Sequence, residues 1–319
     1  MVEEIGSVEY EKTLPRRRAK RLDNAKSTFR LFIKNRTALI GMIITIAYFV
    51  IAIIDYIDPR WLGVENLSTA LLFVPGHLAN SELPTPPNFS GSWWYYFGTT
   101  YSRIPILPVM LGALKYDLTY TVIIVFIGMS VGVIIGSMAG FYGGILDEVV
   151  MRITDIFFSL PFFVFALAIV YVLGFSFQNV VIALIIVWWP TYARLTRGLA
   201  LETKSLKYIE AAKASGASGV KTLFSHIIPN VLSPVYVQIS LDLGSVIQIF
   251  AGIFFLIGAL GSSSFPLEIG YLLSAGLPYL SIGIWWPVIV PALFLLLFTV
   301  SVNLMGDGLR DVLDPKLRR

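Results

Sequence analysis

The 319-residue chain has no cysteine, so no disulfide, thiolate nucleophile or cysteine-based metal site can form. Histidine is nearly absent too. Only His77 and His226 occur, without an H-E-x-x-H pair, which leaves no case for a histidine-based zinc centre. No G-x4-G-K-[ST] loop is present, so the chain has no Walker-type phosphate cradle. A Ser/His/Asp set cannot be argued either, because His77 lies in a long polar loop and His226 in a short segment between apolar runs. No catalytic residue is therefore assigned. Charge is also in short supply. Charged residues make up 14% of the chain, against about 25% in a soluble domain.

What is present is apolar. Hydrophobic residues make up 56% of the chain and the mean hydropathy is +0.76. The apolar runs reach the roughly 20 residues that a bilayer crossing needs. The reading is an all-α, polytopic membrane protein with six transmembrane helices, at about 37–57, 118–138, 153–173, 179–199, 231–258 and 284–305. The apolar stretch 106–114 is too short to cross and reads as a separate interfacial or buried segment. The polar start and the length of the first apolar run argue against a cleavable leader.

Lysine and arginine set the orientation. Alternate sides of the six spans collect 21 and 3 of the 24 basic residues. The rich side comprises the tail 1–36, the short turn holding Arg152, the segment 201–229 with the end of span four, and the tail 307–319. Both termini and 201–229 are thus expected in the cytoplasm of a plasma-membrane protein, with the loops 58–117 and 259–283 outside. The basic tail reads as a topology signal lying near anionic lipid headgroups, which removes the case for nucleic-acid binding despite a pI near 9.1. Trp93, Trp94, Tyr95 and Tyr96 suit an interfacial belt, and Asn66 and Asn88 open glycosylation sequons on the outer loop.

The most informative stretch is 210–229, EAAKASGASGVKTLFSHIIP. Two short helical runs flank Gly216, Ala217, Ser218 and Gly219, where glycine allows a sharp reversal. The spacing Glu210-Ala211-Ala212, three residues, Gly216, nine residues, His226-Ile227-Ile228-Pro229 closely resembles the EAA coupling loop of binding-protein-dependent ABC importer permeases, EAA-x3-G-x9-I-x-L-P. His226 and Ile228 depart from that pattern, and a histidine there resembles the oligopeptide/dipeptide branch.

The resemblance covers most of the chain. Residues 28–41 resemble the basic entry to span one of the peptide-permease "C" subunit, Gly140 to Glu148 its G-x-Y-G-G-x-x-D-E turn, and Trp189 to Gly198 its W-P-x-Y-A-R-x-x-R segment. Residues 303–318 resemble its tail. In the outer loop the family has G-T-D-x-x-G-R-D, whereas this chain has Gly98-Thr99-Thr100-Tyr101-Ser102-Arg103.

The resemblance implies a type I ABC importer permease domain spanning 118–306, preceded by the first transmembrane helix and the loop 58–117. It implies a sister permease, two cytoplasmic ABC ATPase subunits and an extracellular solute-binding protein as partners. ATP and Mg would sit on the ATPases, and this chain would bind no cofactor or metal. The solute would be a di- or oligopeptide, or alternatively an oligosaccharide. Glu210, Ala211, Ala212, Gly216, His226 and Pro229 would form the ATPase-coupling loop.

Further features lie within the spans. Gly128, Gly132, Gly136 and Gly140 form a four-residue ladder, read as tight helix packing or as a seam that slides during transport. Pro161 and Pro190 free backbone carbonyls and are expected to kink spans three and four. Asp242, one turn after Gln238, is an intramembrane carboxylate. Its plainer reading is an interhelical hydrogen bond, and its alternative a solute contact or proton site. Two other function classes remain: an ion-gradient secondary transporter working through Asp242, and a membrane scaffold needing no ATPase.

Overall fold

The computed structural model describes residues 32–33, 35–58, 83–100, 104–259 and 268–313. The tail before residue 32, His77, the Asn66 sequon and residues 314–319 lie outside the described residues. Ten α-helices carry the described fold: α1 Arg36–Ile57, α2 Ile106–Tyr142, α3 Gly144–Ser159, α4 Phe162–Leu173, α5 Phe177–Lys204, α6 Lys207–Ala214, α7 Gly219–Thr222, α8 Ile228–Ala259, α9 Ile269–Leu280 and α10 Trp286–Leu313. No β-strand occurs among the described residues, only an isolated bridge between Thr99 and Pro105. Five helical stretches are each long and apolar enough to cross a bilayer. The bent pair α3–α4 makes a sixth when taken as one span.

Local chemistry explains most helix ends. Asn35 caps α1 by accepting the Ala38 N–H at 3.2 Å. Gly143 and Gly144, at φ +69° and +62°, let the chain reverse between α2 and α3. Ser176 caps α5 through the Asn179 N–H, while the Asn179 amide donates to the Leu173 and Gly174 carbonyls at 2.7 and 2.9 Å. One side chain thus covers the exposed carbonyls that end α4.

Two elements differ from the sequence expectation. The stretch 106–114 is not a separate segment but the first three turns of α2, which runs 37 residues without a break. Hydropathy divides the two at Lys115-Tyr116-Asp117, yet Lys115 and Asp117 are compatible with helix because their side chains find partners on other helices. Lys115 pairs with Asp55 of α1 at 3.1 Å. Span three is also not one kinked helix. It breaks at Leu160–Pro161 with a bend of 93° between α3 and α4. Proline forces Leu160 into an extended conformation, φ −106° and ψ 145°, which ends α3 outright. Pro190 sits within the continuous α5.

The core has two main parts. The larger joins α2, α4, α5 and α8 around Tyr192, Phe250 and Phe254, all fully buried. The second joins α1, α2, α8 and α10 around Leu114, Ile247 and Phe298. α9 lies between α8 and α10 and packs tightly on both. A side chain at Gly270 would strike the Ala251 backbone, and one at Gly276 the Pro287 backbone. The segment before α2 is tied to the start of α10, where the Trp286 indole N–H donates to the Thr99 carbonyl at 3.2 Å.

Candidate functional site: the exposed knuckle after α5

α6 carries Glu210, Ala211 and Ala212, and its C-terminus is built to turn. The Ala217 N–H donates to the Ala212 carbonyl at 3.1 Å across Gly216, whose φ is +80°. This is the long-range bond of a Schellman closure, which requires the left-handed residue between. Ser218 then caps α7 by accepting the Lys221 N–H at 3.3 Å. After α7 the backbone widens into one π turn, Leu223–Ile227, that contains His226. Pro229 follows the π turn directly, within one continuous helical stretch from Gly219 to Ala259.

The knuckle presents polar atoms outward and is held by apolar ones. Glu210, Ala211, Gly216 and Pro229 are exposed, and Ala212 and His226 half-buried. Ile209, Leu223 and Ile227 are buried in the main core. The Asn230 amide ties the two sides, donating to the Tyr208 hydroxyl at 2.9 Å and to the His226 carbonyl at 2.6 Å. A displacement of α6 therefore has a packed route into α8.

A second route leads into α3. Arg197, on α5 ahead of the knuckle, donates two parallel hydrogen bonds to Asp147, 2.8 Å from Nε and 2.7 Å from Nη2. This planar fork is the geometry only arginine provides. One turn earlier Arg194 pairs with Asp155 and stacks over Phe158, 4.2 Å from the ring centre. Both acids come from α3, so two ion pairs join α3 to α5. Spacing in the sequence carried a signal for these pairs: Asp147 and Asp155 are eight residues apart, Arg194 and Arg197 three, each set on one helix face.

The glycine ladder faces α5 along its whole length. Added side chains would meet Trp188 at Gly128 (3.2 Å), Tyr192 at Gly132 (2.5 Å), Ala193 and Thr196 at Gly136, and the Arg197 carbonyl at Gly140 (2.5 Å). The helices approach closely enough for the Thr196 hydroxyl to donate to the Gly132 carbonyl at 3.3 Å. Above this seam Asp242 is buried. It accepts from the Trp188 indole at 3.0 Å and from Gln238 at 2.8 Å. The carboxylate thus bridges α5 and α8. Three further acids escaped the sequence reading: Asp55, buried opposite Lys115, and the buried Asp117 and Glu268, which both accept N–H groups from the first turn of α9. Asp55 lies in a span that is apolar in aggregate, Asp117 and Glu268 fall in the expected outer loops 58–117 and 259–283, and nothing in a linear pattern joins residues so far apart in the chain.

The described residues thus form a helical membrane bundle with an exposed knuckle between two of its spans. Residues 132–319 match the model of the family described as binding-protein-dependent transport system inner membrane component, and the chain belongs to that family. It is 32% identical over 289 residues to the dipeptide transport system permease protein DppC of Haemophilus influenzae, covering 90% of this chain and 93% of the relative. It is 38% identical to the probable D,D-dipeptide transport system permease protein DdpC of Escherichia coli over 223 residues, 70% of this chain and 74% of that one. It is 31% identical to the oligopeptide transport system permease protein OppC of Bacillus subtilis over 289 residues, 90% and 88% of the two chains. Its fold is similar to that of a chain of the MetNI methionine ABC transporter in inward-facing conformations. The TM-score there is 0.52 at 22% identity, covering 65% of this chain and 98% of that one.

Proposed function

We propose that this chain is one of two transmembrane subunits of an ATP-driven importer of di- or oligopeptides. It lines half of the pathway and performs no bond-breaking chemistry itself. The observation that carries the reading is the knuckle: a Glu-Ala-Ala helix closed by a left-handed Gly216, exposed at its tip and anchored through Ile209, Leu223 and Ile227. Such an element transmits force from a protein that grips its tip, since its base is continuous with the core.

In the cycle, closure of two cytoplasmic ATPases moves the groove around α6 and Gly216. Asn230 carries that motion into α8, and the Arg197–Asp147 fork carries it into α3. The bundle then opens outward, accepts solute from an extracellular binding protein, and releases it inward after hydrolysis. Glu210 acts as the exposed charge that holds the tip in its groove. The peptide assignment rests on the relatives named for dipeptide and oligopeptide transport.

The test uses the complex assembled with its ATPases and binding protein. Glu210→Ala should leave co-purification intact and strongly reduce the ATP hydrolysis stimulated by loaded binding protein. Wild-type stimulation in that variant argues against coupling at the knuckle. A thermal-shift screen of the binding protein should respond to short peptides. A response to oligosaccharides alone would overturn the peptide assignment while leaving coupling untouched.

A further inference from the structure

The break between α3 and α4 places irregular backbone deep within the membrane. Two ring contacts with α5 set its level. Phe157, before the break, meets Trp189 edge-on at 5.7 Å, and Phe162, after it, meets Trp188 edge-on at 4.7 Å. Trp188 lies eleven residues after Phe177, where α5 starts, and sixteen before Lys204, where it ends. At about 1.5 Å per residue these are about 17 and 24 Å of helix. The break is therefore well inside a hydrocarbon layer of about 30 Å.

A continuous span satisfies its own backbone, and a broken one does not. Leu160 is extended, Pro161 has no N–H, and no described side chain caps the first turn of α4. The Phe165 N–H donates to the Pro161 carbonyl at 3.0 Å. The N–H groups of Phe162, Phe163 and Val164 precede that bond and have no acceptor within their own helix. Ser159, Leu160 and Pro161 are all exposed. Irregular backbone at this depth is tolerated where it is buried in protein or lines water, because lipid tails offer no hydrogen bonds. Here it is not buried.

The surface beside the break is polar as well. The Arg194–Asp155 ion pair has side chains 47% and 55% exposed, and its guanidinium lies over Phe158, two residues before Leu160. Along α5 the pair sits between the level of the break and Lys204. Half-exposed charges are expensive in hydrocarbon, and a dry protein interface would have to strip water from both of them. Water imposes neither penalty. The exposed face of α1 is the opposite case: Ile40, Ile43, Ile46, Val50 and Ile53 project from it, which suits lipid.

We propose that the α3–α4 break lines the water-filled passage of the transporter, with Ser159, Leu160 and Pro161 in its wall and the Arg194–Asp155 pair on the same wet strip. Water in the passage solvates the backbone groups that the break frees. That the passage carries peptide rests on the transport reading above. That the strip is wet does not.

The test uses the complex assembled with its sister permease and ATPases in lipid nanodiscs, without ATP or binding protein, so that its outcome is independent of coupling at the knuckle. The chain has no native cysteine, so single Ser159→Cys and Leu160→Cys variants can be compared with Ile46→Cys, near the middle of α1. A charged methanethiosulfonate reagent, read as mass added to this chain, should modify both break variants about a hundredfold faster than Ile46→Cys, given the penalty for bringing a charge into the bilayer centre. Either break variant suffices should the other fail to assemble. Rates equal to that of Ile46→Cys overturn the proposal in favour of lipid contact. Fast modification of the chain alone in detergent with slow modification in the complex overturns it in favour of contact with the sister permease.

Discussion

At the scale of single residues, Gly216 separates two kinds of glycine. A side chain there would meet nothing within 4 Å, so its requirement comes from φ +80° and not from crowding. Left-handed backbone costs an L-residue about 1–2 kcal/mol, least for asparagine and most for β-branched residues. Stimulated ATPase activity should therefore decline in the order Gly216, Gly216→Asn, Gly216→Ala, Gly216→Val. Co-purification with the ATPases, measured alongside, distinguishes lost coupling from lost assembly. Equal activity in the Val and Asn variants would mean that the left-handed turn does not matter. Asp242 illustrates another residue-scale point. Its two oxygens are matched by Trp188 and Gln238, so the carboxylate works as a bridge between α5 and α8.

At the scale of elements, the α2–α5 seam depends on the absence of side chains. Its glycines lie against backbone and Cβ atoms of Trp188, Tyr192, Ala193 and Arg197, which cannot swing aside as a long side chain could. Gly136→Ala should destabilise the protein by about 1–3 kcal/mol through overpacking. Gly198 lies on the same α5 but exposed, with nothing within 4 Å of its added Cβ. Gly198→Ala should be neutral or stabilising by up to about 1 kcal/mol through helix propensity. Thermal unfolding of the two variants in detergent checks both signs, and equal midpoints would contradict the packing account. α3 ends where Pro161 forces Leu160 into an extended conformation, and its acids Asp147 and Asp155 pair with Arg197 and Arg194 of α5.

At the scale of the whole molecule, the 21-to-3 division of basic residues across the spans predicts an orientation with the knuckle in the cytoplasm. The lack of native cysteine makes this directly measurable. Ser218, at the knuckle, and Ser281, just after α9, are both exposed. In sealed right-side-out vesicles an impermeant thiol reagent should label Ser281→Cys and spare Ser218→Cys, with the pattern reversed in inverted vesicles. Labelling of Ser218→Cys in sealed right-side-out vesicles would invert the topology and remove the knuckle from the ATPases.

The linear chain alone carried the class of the protein, five continuous spans and the place of the knuckle between two of them. These depend on local quantities: runs of apolar residues long enough for a bilayer, the bias of lysine and arginine, and a glycine at a fixed distance from Glu-Ala-Ala. Element boundaries were legible where a cap or a Gly-Gly pair marks them, as at Asn35 and Gly143. They were not legible at Lys115-Tyr116-Asp117, where polar residues look like an interruption until Asp55 and the first turn of α9 supply their partners. Tertiary structure alone decided which acid meets which base, that Pro161 breaks a helix while Pro190 does not, and that Asp117 and Glu268 share one turn. The reason is that burial, pairing and close approach are properties of residues distant in the chain. Their energies exist only once α2, α5, α8 and α9 have packed together.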